Sequence, residues 1–260
     1  MPTALYTTTG LLEAPLVEPD RSVLFADVTG GGIYRHRDNR TETVLAARRG
    51  IGGLARHRDG GIVMSGRDLS YVGIDAVTRQ ILTVDGATGF NDVTVAADGA
   101  LYAGVLRHRP QRGESAGPSE VIRIDRAGEV SIAAENIRWP NGLAWTPDGQ
   151  ALYICEYAES RVLLLHNEDK QVFATAPSGE CDGLAVDVEG GVWVALGTGG
   201  AVARFTADGR LDTTIELPDG FVSSVAFDGA TLLITTAGRL LSQPVGVAGV
   251  PVHATDIPVP

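Results

Sequence analysis

Four oxygen-bearing side chains recur at one position of a repeated pattern: Glu13, Asn91, Asn141 and Asp182. Each stands seven residues before an acidic turn residue, namely Asp20, Asp98, Asp148 and Glu189. Two further copies of the pattern place Gly52 and Phe221 there. Two carboxylates and two amides on one circle suit a hard divalent cation: the carboxylates neutralise charge, the amide oxygens add neutral ligands, and water completes the shell. A set without His or Cys favours calcium, magnesium or manganese over a structural zinc. Calcium comes first, with Mg, Mn or Zn as the other candidates. The five histidines, His36, His57, His108, His166 and His253, fall off this register and read as surface or strand residues. Asn and Asp also favour turns before strands, which accounts for one or two of the four. That preference explains neither Glu13 nor the shared register.

The elements that must position these residues are visible as an internal repeat. An apolar strand, an Asp-Gly-like turn and a second apolar strand recur as E-A-P-L-V-E-P-D-R-S-V-L-F-A-D at 13–27, G-G-L-A-R-H-R-D-G-G-I-V-M-S-G from 52 and N-D-V-T-V-A-A-D-G-A-L-Y-A-G from 91. They return as N-G-L-A-W-T-P-D-G-Q-A-L-Y-I-C from 141, D-G-L-A-V-D-V-E-G-G-V-W-V-A from 182 and F-V-S-S-V-A-F-D-G-A-T-L-L-I-T-T-A from 221. The turn acids Asp20, Asp59, Asp98, Asp148, Glu189 and Asp228 lie about 40 residues apart, with one longer gap before Asp148, as expected of propeller blades. A second hairpin follows each first one, and period-2 alternation replaces helical periodicity almost throughout. The expectation is an all-β fold: a six-bladed β-propeller, four antiparallel strands per blade, as a single domain over 1–260. The segment A-L-Y-T-T-T at 4–9 occupies the place of an outer strand and is expected to close the last blade. The tail 248–260, broken by Pro251, Pro258 and Pro260, has no assigned place.

Composition narrows the function classes. The chain of 260 residues carries a formal charge of −11, against the basic face that nucleic acid requires. No apolar run of about 20 residues predicts a membrane span. The start M-P-T-A-L-Y lacks a basic or apolar leader and reads as cytoplasmic. Cys155 and Cys181 lack a C-x-x-C spacing and are expected as free thiols. The expected partner is a small-molecule substrate, for a monomer or small homo-oligomer without nucleic acid or membrane.

The chain resembles the regucalcin/gluconolactonase (senescence marker protein-like) family of six-bladed propellers. The matching residues are E-A-P at 13–15 (E-G-P in the family), F-N-D at 90–92, P-N-G-L-A at 140–144 and D-G-L-A-V-D at 182–187. A weaker match is V-S-S-V-A-F with L-I-T-T-A at 222–237. The resemblance implies that Glu13, Asn141 and Asp182 bind a catalytic divalent metal. It implies that Asn91 hydrogen-bonds a metal-bound water or the substrate, and that Asp182 is also the general base. Sugar-lactone members usually carry an arginine where this chain has Gly89, and a glycine where it has Val93. Ala14 replaces the family glycine after Glu13.

Topology places the loops between second and third strands on the face of the oxygen ring. The longest, R-H-R-P-Q-R-G-E-S-A-G-P-S at 107–119, is rich in Pro, Gly and Ser and reads either as a solvated excursion or as a lid. As a lid it would bring Arg107 or Arg109 to the substrate, and Arg67 is a second replacement for the missing arginine. Phe90, Trp139, Tyr157 and Phe221 flank the ring positions. The expected function is metal-dependent hydrolysis of a lactone or related ester less polar than a sugar lactone, with Asp182 and Asn91 catalytic. A different reaction at the same metal is the alternative: phosphotriester hydrolysis, or a lyase, isomerase or cyclisation step. A non-catalytic calcium-binding propeller is the third reading.

Overall fold

The computed structural model describes residues 2–218 and 220–260. Its first four strands are β1 (Thr3–Val17), β2 (Val23–Asp27), β3 (Gly32–Arg37) and β4 (Arg40–Ala46). A second group is β5 (Leu54–Arg56), β6 (Ile62–Met64), β7 (Leu69–Val72) and β8 (Thr78–Leu82). Then come β9 (Gly89–Val95), β10 (Leu101–Leu106), β11 (Pro118–Ile124) and β12 (Val130–Arg138). These are followed by β13 (Pro140–Trp145), β14 (Ala151–Glu156), β15 (Arg161–His166) and β16 (Asp169–Thr175). The chain continues with β17 (Leu184–Val186), β18 (Val192–Ala195), β19 (Ala201–Phe205), β20 (Leu211–Glu216), β21 (Val222–Asp228) and β22 (Thr231–Pro244). The fold is an all-β propeller. Among the described residues, β5–β8, β9–β12, β13–β16 and β17–β20 each form a four-stranded antiparallel sheet. A six-stranded sheet has the order β21-β22-β1-β2-β3-β4.

That larger sheet exists because β1 serves two neighbours. Its first part pairs with β22, as in Thr3 with Ser242 and Thr7 with Arg239. Its later part pairs with β2, as in Glu13 with Ala26 and Val17 with Val23. The N-terminal segment therefore joins the sheet of the C-terminal strands, as its sequence position implied. The strands β1, β5, β9, β13, β17 and β21 touch in succession, and β21 returns to β1.

The alternation of apolar residues builds the seams between sheets. One cluster joins Phe90, Val93 and Leu101 to Val63 and Tyr71. Within the six-stranded sheet, another cluster joins Leu12, Val23 and Phe25 to Leu233 and Leu240. Burying a side chain such as Phe25, fully enclosed, contributes about 1.5–3 kcal/mol.

The tail whose place the sequence left open is a strap across the face opposite the oxygen ring. Val250 N–H donates to Val186 O, and Gly249 N–H to Gly229 O. Further on, Thr255 N–H donates to Arg56 O and Asp256 N–H to Gly99 O. Asp256 also pairs with Arg58 and with Arg126. Among the described residues no helix is long and apolar enough to cross a membrane.

Candidate active site

The ring residues sit where the innermost strands begin, and irregular pairing aims them. The register of β1 against β2 shifts between Glu13 and Leu16. The register of β9 against β10 shifts between Phe90 and Val93, the stretch holding Asn91. That of β13 against β14 shifts between Pro140 and Leu143, the stretch holding Asn141. Bulges of this kind turn a side chain out of the strict alternation. Asp182 lies just before β17, fixed by its N–H to Ala195 O and by Gly142 N–H donating to its carbonyl.

The side chains converge. Asn141 Nδ2 donates to Asp182 Oδ1 at 2.5 Å, and Asn91 Nδ2 reaches Pro140 O at 3.4 Å. A Cβ on Gly52 would lie 2.6 Å from Asn91 Oδ1. The oxygen-free position of the second copy therefore makes room for the amide of the third. Ser223 Oγ donates to Leu12 O at 2.6 Å and steadies the strand that carries Glu13. Asn141 and Asp182 are buried, whereas Glu13 and Asn91 keep part of their surface open.

Electrostatics mark the ring as short of positive charge. Burial, then the Asp182 and Asp92 carboxylates, push the Glu13 carboxyl well above its usual value. Burial also raises Asp182, against the Asn141 hydrogen bond, with Asp92 and Glu180 adding to the rise. Among the described residues no Arg, Lys or His lowers the Glu13, Asp92 or Asp182 carboxyl. Among the described residues no three His, Cys, Asp or Glu side chains gather closely enough to hold an ion by themselves. A cation here therefore also draws on the Asn141 amide oxygen, the atom left over when Nδ2 donates to Asp182.

Asp92 is the residue that sequence reasoning passed over. It follows Asn91 in F-N-D, and its Oδ1 and Oδ2 accept N–H groups of Val93 (2.7 Å) and Leu143 (3.1 Å). Burial outweighs those bonds and lifts its carboxyl to about 7. The signal was present as a second acid beside the ring amide. Asp92 also lines a channel of about 560 Å³ beneath the ring, which the strap residues Pro251–His253 line at the far end.

The aromatic candidates separate. Trp139, in the left-handed region at φ 63°, packs at a tilt against Tyr157 with ring centres 4.3 Å apart and meets His108 at 4.7 Å. Burial, then the Asp182, Glu180 and Glu13 carboxylates, raise Tyr157, placing its hydroxyl in the field of the ring. Phe90 is buried in a seam cluster and walls a second cavity. Phe221 is half-buried and lines neither cavity. Arg67 is exposed and lines the second cavity. Arg107 does not; it is held by Glu120 and by Asp85 O. The 107–119 connection carries a short 3-10 turn at Pro110–Arg112, and Arg109 N–H donates to Glu114. Cys155 and Cys181 are free and buried.

Gly89 has a steric reason. Phe90 N–H donates to Gly66 O at 2.6 Å, and a Cβ at residue 89 would stand 2.6 Å from that carbonyl. Backbone packing thus fills the place of the family arginine.

Comparison with known proteins agrees with this architecture. Residues 11–238 match the pattern described as SMP-30/Gluconolactonase/LRE-like region. The chain is 30% identical over 255 residues to pentonolactonase XacC of Haloferax volcanii, covering 89% of this chain and 83% of that protein. It is also 30% identical over 248 residues to a 6-deoxy-6-sulfogluconolactonase of Pseudomonas putida, covering 86% and 82%. The structure of a gluconolactonase from Xanthomonas campestris superposes with a TM-score of 0.81 at 26% identity, covering 95% of this chain and 88% of that one. The chain belongs to the SMP-30/gluconolactonase/LRE-like family.

Proposed function

We propose that this lactonase-like enzyme hydrolyses a sugar-type lactone at the ring of Glu13, Asn91, Asn141 and Asp182. One divalent cation is held by Glu13, Asn141 and Asp182, calcium first among the candidates. One observation carries the reading: burial pushes up the Glu13 and Asp182 carboxylates, Asp182 adds to the rise of Glu13, and no cationic side chain among the described residues lowers either. Crowding like charges out of water is costly until a counter-charge arrives. The donor set of carboxylate and amide oxygens fits a hard dication.

A bound divalent ion supplies Lewis acidity for the ester carbonyl and acidifies a water. The chain's own residues do the rest. The Asn91 amide orients the water or the lactone. Asp182 Oδ1 accepts the Asn141 N–H; with one carboxylate oxygen turned to the cation, the other accepts the water's proton. The same oxygen returns that proton to the ring oxygen as the carbon–oxygen bond breaks, leaving a hydroxy acid. Trp139 and Tyr157 wall one side of the site and limit bulk water there.

The same reading counts six blades: β22 supplies two strands of the last blade, pairing β21 through its first part and β1 through its second, and β1 alone passes on to pair with β2. Its support is the six inner strands in mutual succession. The sugar-type substrate rests on relatives named for pentonolactone and sulfogluconolactone. An expectation of a less polar substrate has no support in those names.

The test is a lactone panel, sugar-derived and alkyl-substituted, offered to chelator-treated protein before and after return of Ca²⁺, Mg²⁺, Mn²⁺ or Zn²⁺. Metal-restored hydrolysis of a sugar lactone supports the reading. Equal rates with and without metal, or no turnover of any lactone, would overturn it.

A further inference from the structure

A second cavity, of about 570 Å³, opens on the same face as the oxygen ring. Its walls come from the connections after β2, before β5, after β6, before β9 and after β10. Backbone bonds hold these connections together: Gly50 N–H to Val28 O, Phe90 N–H to Gly66 O, and Thr88 N–H to Leu106 O. Phe90 directly precedes Asn91 in β9, so the cavity adjoins the ring.

Two observations point to the charge of its ligand. The protein carries a formal charge of −11, yet the cavity wall holds Arg49, Arg67 and Arg109 and no Asp or Glu. Their guanidinium groups are largely uncommitted. Arg67 uses only Nε toward Asp68, at 3.2 Å, and its side chain is 82% exposed. Arg109 reaches Glu114 at 3.5 Å, and Arg49 has no ion pair or hydrogen bond to a described residue. The second observation is independent of the arginines. His108 stands in the same wall at 4% exposure, and its buried Nε2 has no hydrogen-bond partner among the described residues. Its backbone is fixed by Thr88 Oγ1, which donates to His108 O at 2.5 Å. Buried polar atoms are nearly always satisfied, and a ligand oxygen entering the cavity would satisfy this one.

We propose that this cavity binds an oxyanion substituent (carboxylate, sulfonate or phosphate) that the lactone carries away from its reacting carbonyl. Arg67 and Arg109 supply the charge, and His108, with its proton on Nε2, supplies the buried donor. Arginine suits such groups because its fork of N–H donors matches their oxygens. The inference rests on the lactonase reading for the substrate's ring, but not for the anion site itself.

The experiment has two arms. In the first, kcat/KM is compared for gluconolactone and its 6-phosphate, 6-sulfonate and carboxylate-bearing counterparts, corrected for spontaneous opening. At least one charged lactone is expected to be preferred tenfold or more, through KM. The preference should shrink in high salt, and in Arg67→Gln/Arg109→Gln the charged-to-neutral ratio should fall toward one. In the second arm, calorimetry compares binding of 6-phosphogluconate and gluconate to wild type, the double variant and His108→Phe. Tighter binding of the phosphate, lost in both variants, supports the anion site even if no lactone turns over; that outcome would sink only the lactonase reading. Lactone hydrolysis with no preference for any charged substrate, and equal binding of both acids, would overturn the anion site and leave the lactonase reading standing.

Discussion

Asn141 Nδ2 donates to Asp182 Oδ1 at 2.5 Å, joining two ring positions that lie on neighbouring sheets. That bond lowers the proton affinity of a carboxylate that burial otherwise raises. Replacing Asn141 by Ala removes a neutral ligand and leaves Asp182 without this partner. Divalent-ion affinity is expected to fall about 10- to 100-fold, read by titration calorimetry. An unchanged affinity would remove Asn141 from the site.

Asp92 gives a pH signature. Its carboxyl stands at about 7 in the folded protein, against about 3.9 in an unfolded chain. A raised carboxyl pKa means that the folded state holds the proton more tightly. Its contribution to stability is therefore full below about pH 4 and is lost as pH rises through about 7. In chelator, the melting temperature of wild type should drop more steeply between those pH values than that of Asp92→Asn. The difference is on the order of 2 kcal/mol, after allowance for the channel's access to solvent. Parallel profiles for the two proteins would contradict the burial assigned to Asp92.

Ala14, which stands where the family has glycine, is strained. The residue after Glu13 adopts φ 53°, a left-handed conformation that costs an L-residue about 1–2 kcal/mol. Glycine adopts it freely but loses more chain entropy on folding, about 0.5–1 kcal/mol. Ala14→Gly should therefore stabilise by about 0.5–1 kcal/mol in denaturant unfolding. Destabilisation would mean that the Ala14 methyl contributes packing worth more than the strain.

Restoring the family arginine should fail. With Gly66 O only 2.6 Å from a Cβ at residue 89, Gly89→Arg must push apart the Phe90–Gly66 backbone contact. A loss of about 1–3 kcal/mol is expected, in the range of backbone-strain substitutions. Full stability together with faster turnover would show that the contact yields easily.

Much of this was legible in the residues, for a physical reason. Strand alternation and turn acids are local signals, and a repeat multiplies them, so the seven-residue register already grouped Glu13, Asn91, Asn141 and Asp182. The N-terminal strand was legible because an unpaired strand pattern needs a sheet edge to join. Other features depend on contacts between distant segments. That Gly52 yields space to Asn91, that Gly66 O excludes a side chain at 89, and that Arg107 is spent on Glu120 are not written in spacing. The strap had no periodicity to announce it, since it is held by isolated backbone bonds to several sheets. Asp92 was in view within F-N-D, but only its enclosure distinguishes it from an ordinary strand acid.

The most direct measurement is the initial rate of sugar-lactone hydrolysis by chelator-treated protein as a divalent ion is returned stepwise, for wild type and for Asp182→Asn. The substitution keeps the shape of the side chain and removes its charge and its proton-accepting oxygen. Wild type should regain activity in a saturable, metal-dependent curve, while Asp182→Asn should bind the ion more weakly and stay at least 100-fold slower even at saturation. Metal-independent turnover by wild type, or an Asp182→Asn variant as fast as wild type, would contradict the account.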